Sequence, residues 1–282
     1  MNLIAIVTDS SAGVPQEIAQ KLNLNIVPVG VQINNKIYRE GIDLPVDDFY
    51  EQLDKTGNVS TSQPAPGDFL NVYRKVAEKA KEIISIHVTS LGSGTVNVAN
   101  LIKRQISIPV SVIDSKTASM AQGFMALAAA KAAQAGKTRE EILSIVENVR
   151  KQTAIFVAVP TLKYLARSGR VSSVKNLIAS ALSLKPILGV NNGLVDVIEK
   201  VRSYPKAVQR LITLIEERFE DINLNIAVLH TNAPVKAEEF RVKIEKRFKN
   251  ARIFVTEISA SLAVHGGQGM LGVAAYSGLD LD

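Results

Sequence analysis

The chain has 282 residues, 46% of them hydrophobic, enough for one large domain or two small ones whose core needs no disulfide or metal. It contains no Cys, which excludes a disulfide framework, a thiolate zinc site and thiol catalysis, and its three His residues, His87, His230 and His265, lack metal-ligand spacing. The net charge of +6 invites a nucleic-acid reading, but the basic residues are scattered, aromatics are only 5%, and no nucleic-acid-binding motif is present.

The chain opens on an apolar run at 3–7 that ends in Thr8-Asp9-Ser10-Ser11. Its first residues lack the basic and apolar regions of a signal peptide, so a cytoplasmic protein is expected. A helix at 15–22 follows, and 26–33 reads as extended. Segments 45–55 and 66–81 predict helices, each with a proline near its first turn. Between them, Thr61-Ser62-Gln63-Pro64 reads as a loop. Next come a strand at 83–88, a helix at 95–106, a strand at 110–113 and a helix at 117–134. Gln122, Lys131 and Gln134 interrupt the last of these, which predicts a buried helix rather than a membrane span. A helix at 138–151 and a strand at 155–159 continue the alternation, which argues for a parallel sheet with helices on both faces.

After Pro160 the character changes. Runs at 187–190 and 194–200 flank Asn191-Asn192-Gly193, the signal of a hairpin with a three-residue turn. A helix at 205–219, a strand at 226–230, a helix at 235–249 and a strand at 252–257 precede the loop His265-Gly266-Gly267-Gln268-Gly269. The expected fold class is α/β in two lobes, 1–159 and 160–282. The first holds a mostly parallel, Rossmann-like sheet with flanking helices. The second is a smaller α/β lobe, with a ligand tunnel between or beside them.

The most informative point is Ser93-Gly94-Thr95, a hydroxyl-and-glycine turn between a strand and a helix. Such a turn aims N–H groups and hydroxyls at one spot and favours a small anion. Asp9-Ser10-Ser11, Thr89-Ser90 and Asp114-Ser115 also close strands, where open α/β sheets bind ligands. From 148 to 195 there is no Asp or Glu, while Lys163, Arg167, Arg170 and Lys175 occur. That stretch is either a solvated face or a patch for an anionic ligand or acidic partner. The glycines after His265 match neither a dinucleotide fingerprint nor a P-loop. Ser93, His265 and Asp9 could converge as a Ser–His–Asp set, although G-x-S-x-G is absent. A hydrolase or phosphotransferase acting on a small anionic substrate is therefore the alternative.

Taken in order, Thr8-Asp9-Ser10-Ser11, Thr61-Ser62-Gln63-Pro64, the 89–95 segment, Asp114-Ser115, the 162–172 segment, Lys185-Pro186-Ile187-Leu188, Val201-Arg202 and the His265 glycine loop resemble the DegV family of bacterial proteins. The resemblance implies a two-domain α/β fold that buries one long-chain fatty acid, such as a hexadecanoate-like chain, and has no other cofactor and no metal. It implies a carrier rather than an enzyme, with no ATP site and no catalytic residue, presenting the acyl carboxylate to a separate fatty acid kinase that makes acyl-phosphate. Transient contact with a membrane surface belongs to that picture, and nucleic acid does not. By resemblance, Thr61 and Ser93 hold the carboxylate, and Ser62, Gly94 and Thr95 complete the cradle. His265 and Arg202 match second-lobe residues near the head group, and Arg170 shapes the mouth. The chain departs from the family pattern at Gly92, Val96, Asn97 and Ala260-Ser261, and at Gln268, where the family usually has proline.

Overall fold

Three sheets are present among the residues that the computed structural model describes, which are 3–55, 58–171, 184–220 and 223–278. The first has four parallel strands, in the spatial order Asn25–Val27, Ile4–Asp9, Glu82–His87 and Val110–Asp114. Its two central strands are covered on both faces, which is why they read as unbroken apolar runs rather than alternating ones. Helices Pro66–Ala77 and Thr95–Ile102 cover one face, setting Phe69, Tyr73 and Val98 against Val7, Val27 and Ile83.

The second sheet is the larger, with six strands against four. Its order is Leu194–Val201, Lys185–Asn191, Thr153–Ala158, Leu271–Ser277, Leu224–His230 and Arg252–Glu257. The last two run parallel and the other neighbours antiparallel. Helices Tyr204–Arg218 and Pro234–Arg247 pack Leu211, Phe240 and Ile244 on Ile226, Val228 and Val273. The strand Thr153–Ala158 pairs with both Lys185–Asn191 and Leu271–Ser277. The chain thus enters the second sheet at Thr153, ahead of the 159–160 boundary read from the sequence. The change of composition after Pro160 falls at helix Lys163–Ser168, between two strands of that sheet.

Helix Ser119–Gln134 lies between the two sheets and is buried almost all round, as an alanine-rich sequence with no polar face requires. Met120, Phe124 and Leu127 share one apolar cluster with Ile4, Ile6, Ile84 and Ile86 of the first sheet and with Ala227, Leu229, Ala274 and Tyr276 of the second. Small alanine side chains let both sheets approach the helix closely.

The third sheet is antiparallel, in the order Lys36–Arg39, Gly30–Ile33, Val59–Ser62. It corrects two expectations. The extended segment 26–33 is divided between two sheets, because Pro28 has no N–H to continue the first ladder. Thr61 and Ser62, read as loop, are strand residues. The hairpin turn is also one residue shorter than expected. Asn191 pairs with Leu194, leaving Asn192 and Gly193 at φ 49° and 89°, the doubly left-handed pair of a type I′ turn.

Candidate ligand-binding site

A cavity of about 570 Å³ lies beyond the carboxyl ends of the first sheet's strands and is closed by the second sheet. Its body is aliphatic, with Val88, Ile155, Val157, Leu188, Val190 and Leu262 among its walls. The volume falls within the ~300–1,000 Å³ usual for small-molecule sites.

Thr61 and Ser62 reach this cavity from the third sheet, and Ser93 and Gly94 from the turn before helix Thr95–Ile102. His265 comes from helix Ala260–Gly266, and Arg170 follows helix Lys163–Ser168. Six of the eight residues expected at the site therefore line one cavity. Thr95 does not. It is fully buried, and its Oγ1 lies 2.8 Å from Ser93 Oγ while its N–H donates to that oxygen at 3.3 Å, so it orients Ser93. Arg202 is exposed and lies outside the cavity lining. Lys175 falls outside the described residues, whereas Lys163, Arg167 and Arg170 are exposed. Gln63, not singled out from the sequence, also lines the cavity, and a Cβ on Gly94 would stand 1.8 Å from its Oε1. Glycine at 94 is what lets the amide lie there.

His265 Nε2 is 3.3 Å from Thr61 Oγ1. Its Nδ1 is buried and has no hydrogen-bond partner among the described residues. Burial, reinforced by the nearby Arg170 charge, pushes the imidazole down to about 4, so it is neutral at pH 7. The helix that carries it is pinned at its start by Glu40, which accepts from Ser261 N–H and Oγ, both at 2.8 Å, and from Ser10 Oγ at 2.5 Å. Burial raises the Glu40 carboxyl above its ordinary range, against those hydrogen bonds. Beyond His265, Gly267 sits at φ 82° with the Tyr164 ring 2.2 Å from where a Cβ would be, a close approach that only glycine allows. Gln268 bonds Asn232 and Asp54, tying the loop down. A second hollow of about 70 Å³, lined by Tyr164 and Arg167, meets the same Thr61, Arg170 and His265.

A Ser–His–Asp array does exist, sharing Asp9 with the set the sequence left open but taking its histidine and serine elsewhere. Asp9 Oδ2 bonds His87 Nδ1 at 2.9 Å, His87 Nε2 is 2.6 Å from Ser85 Oγ, and Tyr73 OH donates to that hydroxyl at 2.8 Å. Asp9 also accepts from the Val88 N–H and from Gln122 Nε2, each at 3.0 Å, and from Ser11 Oγ. Burial would raise the Asp9 carboxyl, but the hydrogen bond and charge interaction with His87, with Ser11 and Val88 adding, carry it below the usual range. Asp9, Ser85 and His87 are fully buried and none lines the cavity. Ser93, His265 and Asp9 do not assemble, since His265 bonds Thr61 and Asp9 bonds His87. Among the described residues, no group of three or more His, Asp or Glu is placed to hold a metal ion.

The family model described as "Uncharacterised protein, DegV family" matches residues 3–278. The chain belongs to the DegV family. A DegV domain-containing protein of Streptomyces coelicolor is 35% identical to it, covering 97% of this chain and 98% of its own length. Protein DegV of Bacillus subtilis is 32% identical, covering 96% and 98%. The crystal structure of Bacillus subtilis DegV, described as a fatty acid binding protein, has a TM-score of 0.90 at 30% identity and covers 99% of this chain and all 100% of its own. A DegV family protein from Thermus thermophilus, described by its fatty acid binding, also has a TM-score of 0.90, at 29% identity over 97% and 99%. The mixed α/β architecture is thus the DegV fold along nearly the whole chain.

Proposed function

We propose that this DegV family protein is a carrier that holds one long-chain fatty acid in the 570 Å³ cavity and presents its carboxylate to a separate fatty acid kinase for acyl-phosphate formation. The observation that carries the reading is a largely aliphatic cavity whose lining also holds the Thr61 and Ser93 hydroxyls and the His265 ring, with His265 Nε2 3.3 Å from Thr61 Oγ1. A tail of ~15 methylenes yields about 12 kcal/mol gross at ~0.8 each. Association and ordering costs remove much of this, and tight binding still remains within reach. The head group then needs only a few donors. With its proton on Nε2, neutral His265 donates to Thr61 Oγ1, which frees the Thr61 hydrogen for the carboxylate.

The smaller hollow supports presentation as well as storage. It meets the head-group end from another side and adds Arg167 to Arg170, two cations suited to an anionic phosphoryl donor. Exposed Lys163, Arg167 and Arg170 suit an acidic face on the kinase. Loading belongs in the cytoplasm, through transient contact with a membrane surface. Leu91, which is 64% exposed and also lines the cavity, puts an apolar side chain at the mouth for that step. No described helix is long and apolar enough to cross a membrane. The carrier has no catalytic residue in this reading.

Native mass spectrometry and organic extraction of protein purified from cells test the reading. One fatty acid per chain is expected. Protein that extracts clean and also fails to take up added hexadecanoate overturns it.

A further inference from the structure

Ser119 is 3% exposed, lines the cavity, and has a hydroxyl with no hydrogen-bond partner among the described residues. It opens the 16-residue helix Ser119–Gln134, whose N-cap residue, Ala118, provides no side-chain cap and lines the cavity too. The start of this helix therefore offers partial positive charge and an unused hydroxyl to the cavity. Thr61, Arg170 and His265 also border the smaller hollow, whereas Ser119, like Ser93, borders the main cavity and not the hollow. A plain alkyl chain would leave the Ser119 hydroxyl unpaired, which is costly for any buried polar group.

We propose that the cavity is built for an acyl chain that carries its own oxygen, a hydroxyl or keto group placed along the chain to meet Ser119 at the start of helix Ser119–Gln134. The inference rests on the fatty acid reading of the cavity and names the class of chain within it. The correctly placed oxygen bonds Ser119, while an oxygen elsewhere on the chain is desolvated against aliphatic walls without a partner. The site thus discriminates by the position of the oxygen as well as by chain length.

The test is a competition series on lipid-free protein, comparing octadecanoate with its mono-hydroxy isomers, substituted at successive carbons. The parent is measured beside Ser119→Ala and Ser119→Gly. Glycine at this position, where φ is 53°, relieves the backbone and guards against a folding defect. One isomer is expected to bind the parent about three- to tenfold more tightly than the others, the effect of one added hydrogen bond. Both variants should lose that preference and bind octadecanoate at least as tightly as the parent, because the hydroxyl that a plain chain leaves unpaired is gone. Equal affinity for every isomer overturns the proposal and leaves Ser119 to water. A preference that survives in both variants overturns it by placing the oxygen elsewhere. Loss of octadecanoate binding in both variants overturns it by putting the carboxylate at Ser119. A parent that binds neither octadecanoate nor any isomer fails earlier, at the fatty acid reading itself.

Discussion

Two histidines with hydroxyl neighbours occupy this molecule under opposite conditions. His87 is fully buried and both ring nitrogens are engaged, one by Asp9 and one by Ser85. His265 stands at a cavity wall with one nitrogen 3.3 Å from Thr61 and the other without a partner among the described residues. The first cluster has no bonding capacity left for a ligand, so its polar groups hold strands together. The second is incomplete without one. Residue type alone would rank the Ser85–His87–Asp9 array as the chemistry of the protein, and completeness of hydrogen bonding reverses that ranking.

The contrast breaks most visibly at Asp9. Asp9→Ala strips partners from His87, Gln122, Ser11 and the Val88 amide at once, and the expected loss of folding stability is about 3–5 kcal/mol. Urea unfolding measures it, and fatty acid affinity well below the transition should stay near the parent's. A loss below ~1 kcal/mol would deny the array its structural role.

At the cavity the effects should be reversed. Thr61→Ala and Ser93→Ala each remove a hydroxyl that, in the carrier reading, bonds a charged carboxylate, an interaction worth about 1.5–3 kcal/mol, or roughly ten- to a hundredfold in dissociation constant. Folding stability should fall far less than in Asp9→Ala, by the loss of bonds to Thr95 or His265 alone. A fatty alcohol of equal length, binding parent and variants alike, separates the head-group contacts from damage to the tail site. Unchanged fatty acid affinity in both variants would move the head group away from this end.

The smallest effect sharpens the comparison through pH. In lipid-free protein His265 titrates near 4, against 6.5 for the free side chain, so between these values the unfolded chain binds the extra proton. Stability from this group is complete above pH 6.5 and declines as pH falls toward 4, by at most ~1.4 kcal/mol per pH unit, and by less for a partly exposed ring. His265→Gln should flatten that part of the stability profile. An identical acid limb in parent and variant would leave the ring as protonated in the folded state as in the unfolded one.

The first sheet was legible because strands covered on both faces announce themselves as apolar runs, and the Ser93-Gly94 turn because hydroxyl and glycine stand between strand and helix. Strand Val59–Ser62 was not, since Val-Ser-Thr-Ser is polar and is held by pairing with Gly30–Ile33, distant in the chain. Strand Leu271–Ser277 escaped for a related reason. Its glycine and alanines have little strand preference, and its place is set by partners on both sides, with Gly272 so close to Val157 that a Cβ would lie 2.9 Å away. Thr61, Ser93 and His265 line one cavity, but no pattern in the residues themselves joined three distant segments, and the family resemblance supplied that link. Resemblance alone also supplied Arg202, which stands exposed and outside the cavity lining. Ser119 had a signal, a lone hydroxyl at the head of an alanine-rich helix, lost among small residues.

That same helix, Ser119–Gln134, has its apolar surface divided between strands of two sheets. Neither lobe can leave it without exposing a face that has no polar residues to meet water. Heating should therefore melt both lobes in a single cooperative transition. In the carrier reading, lipid exchange is expected under the same constraint, through local give at the cavity rim around Leu91 and Gly193, with the two sheets docked throughout.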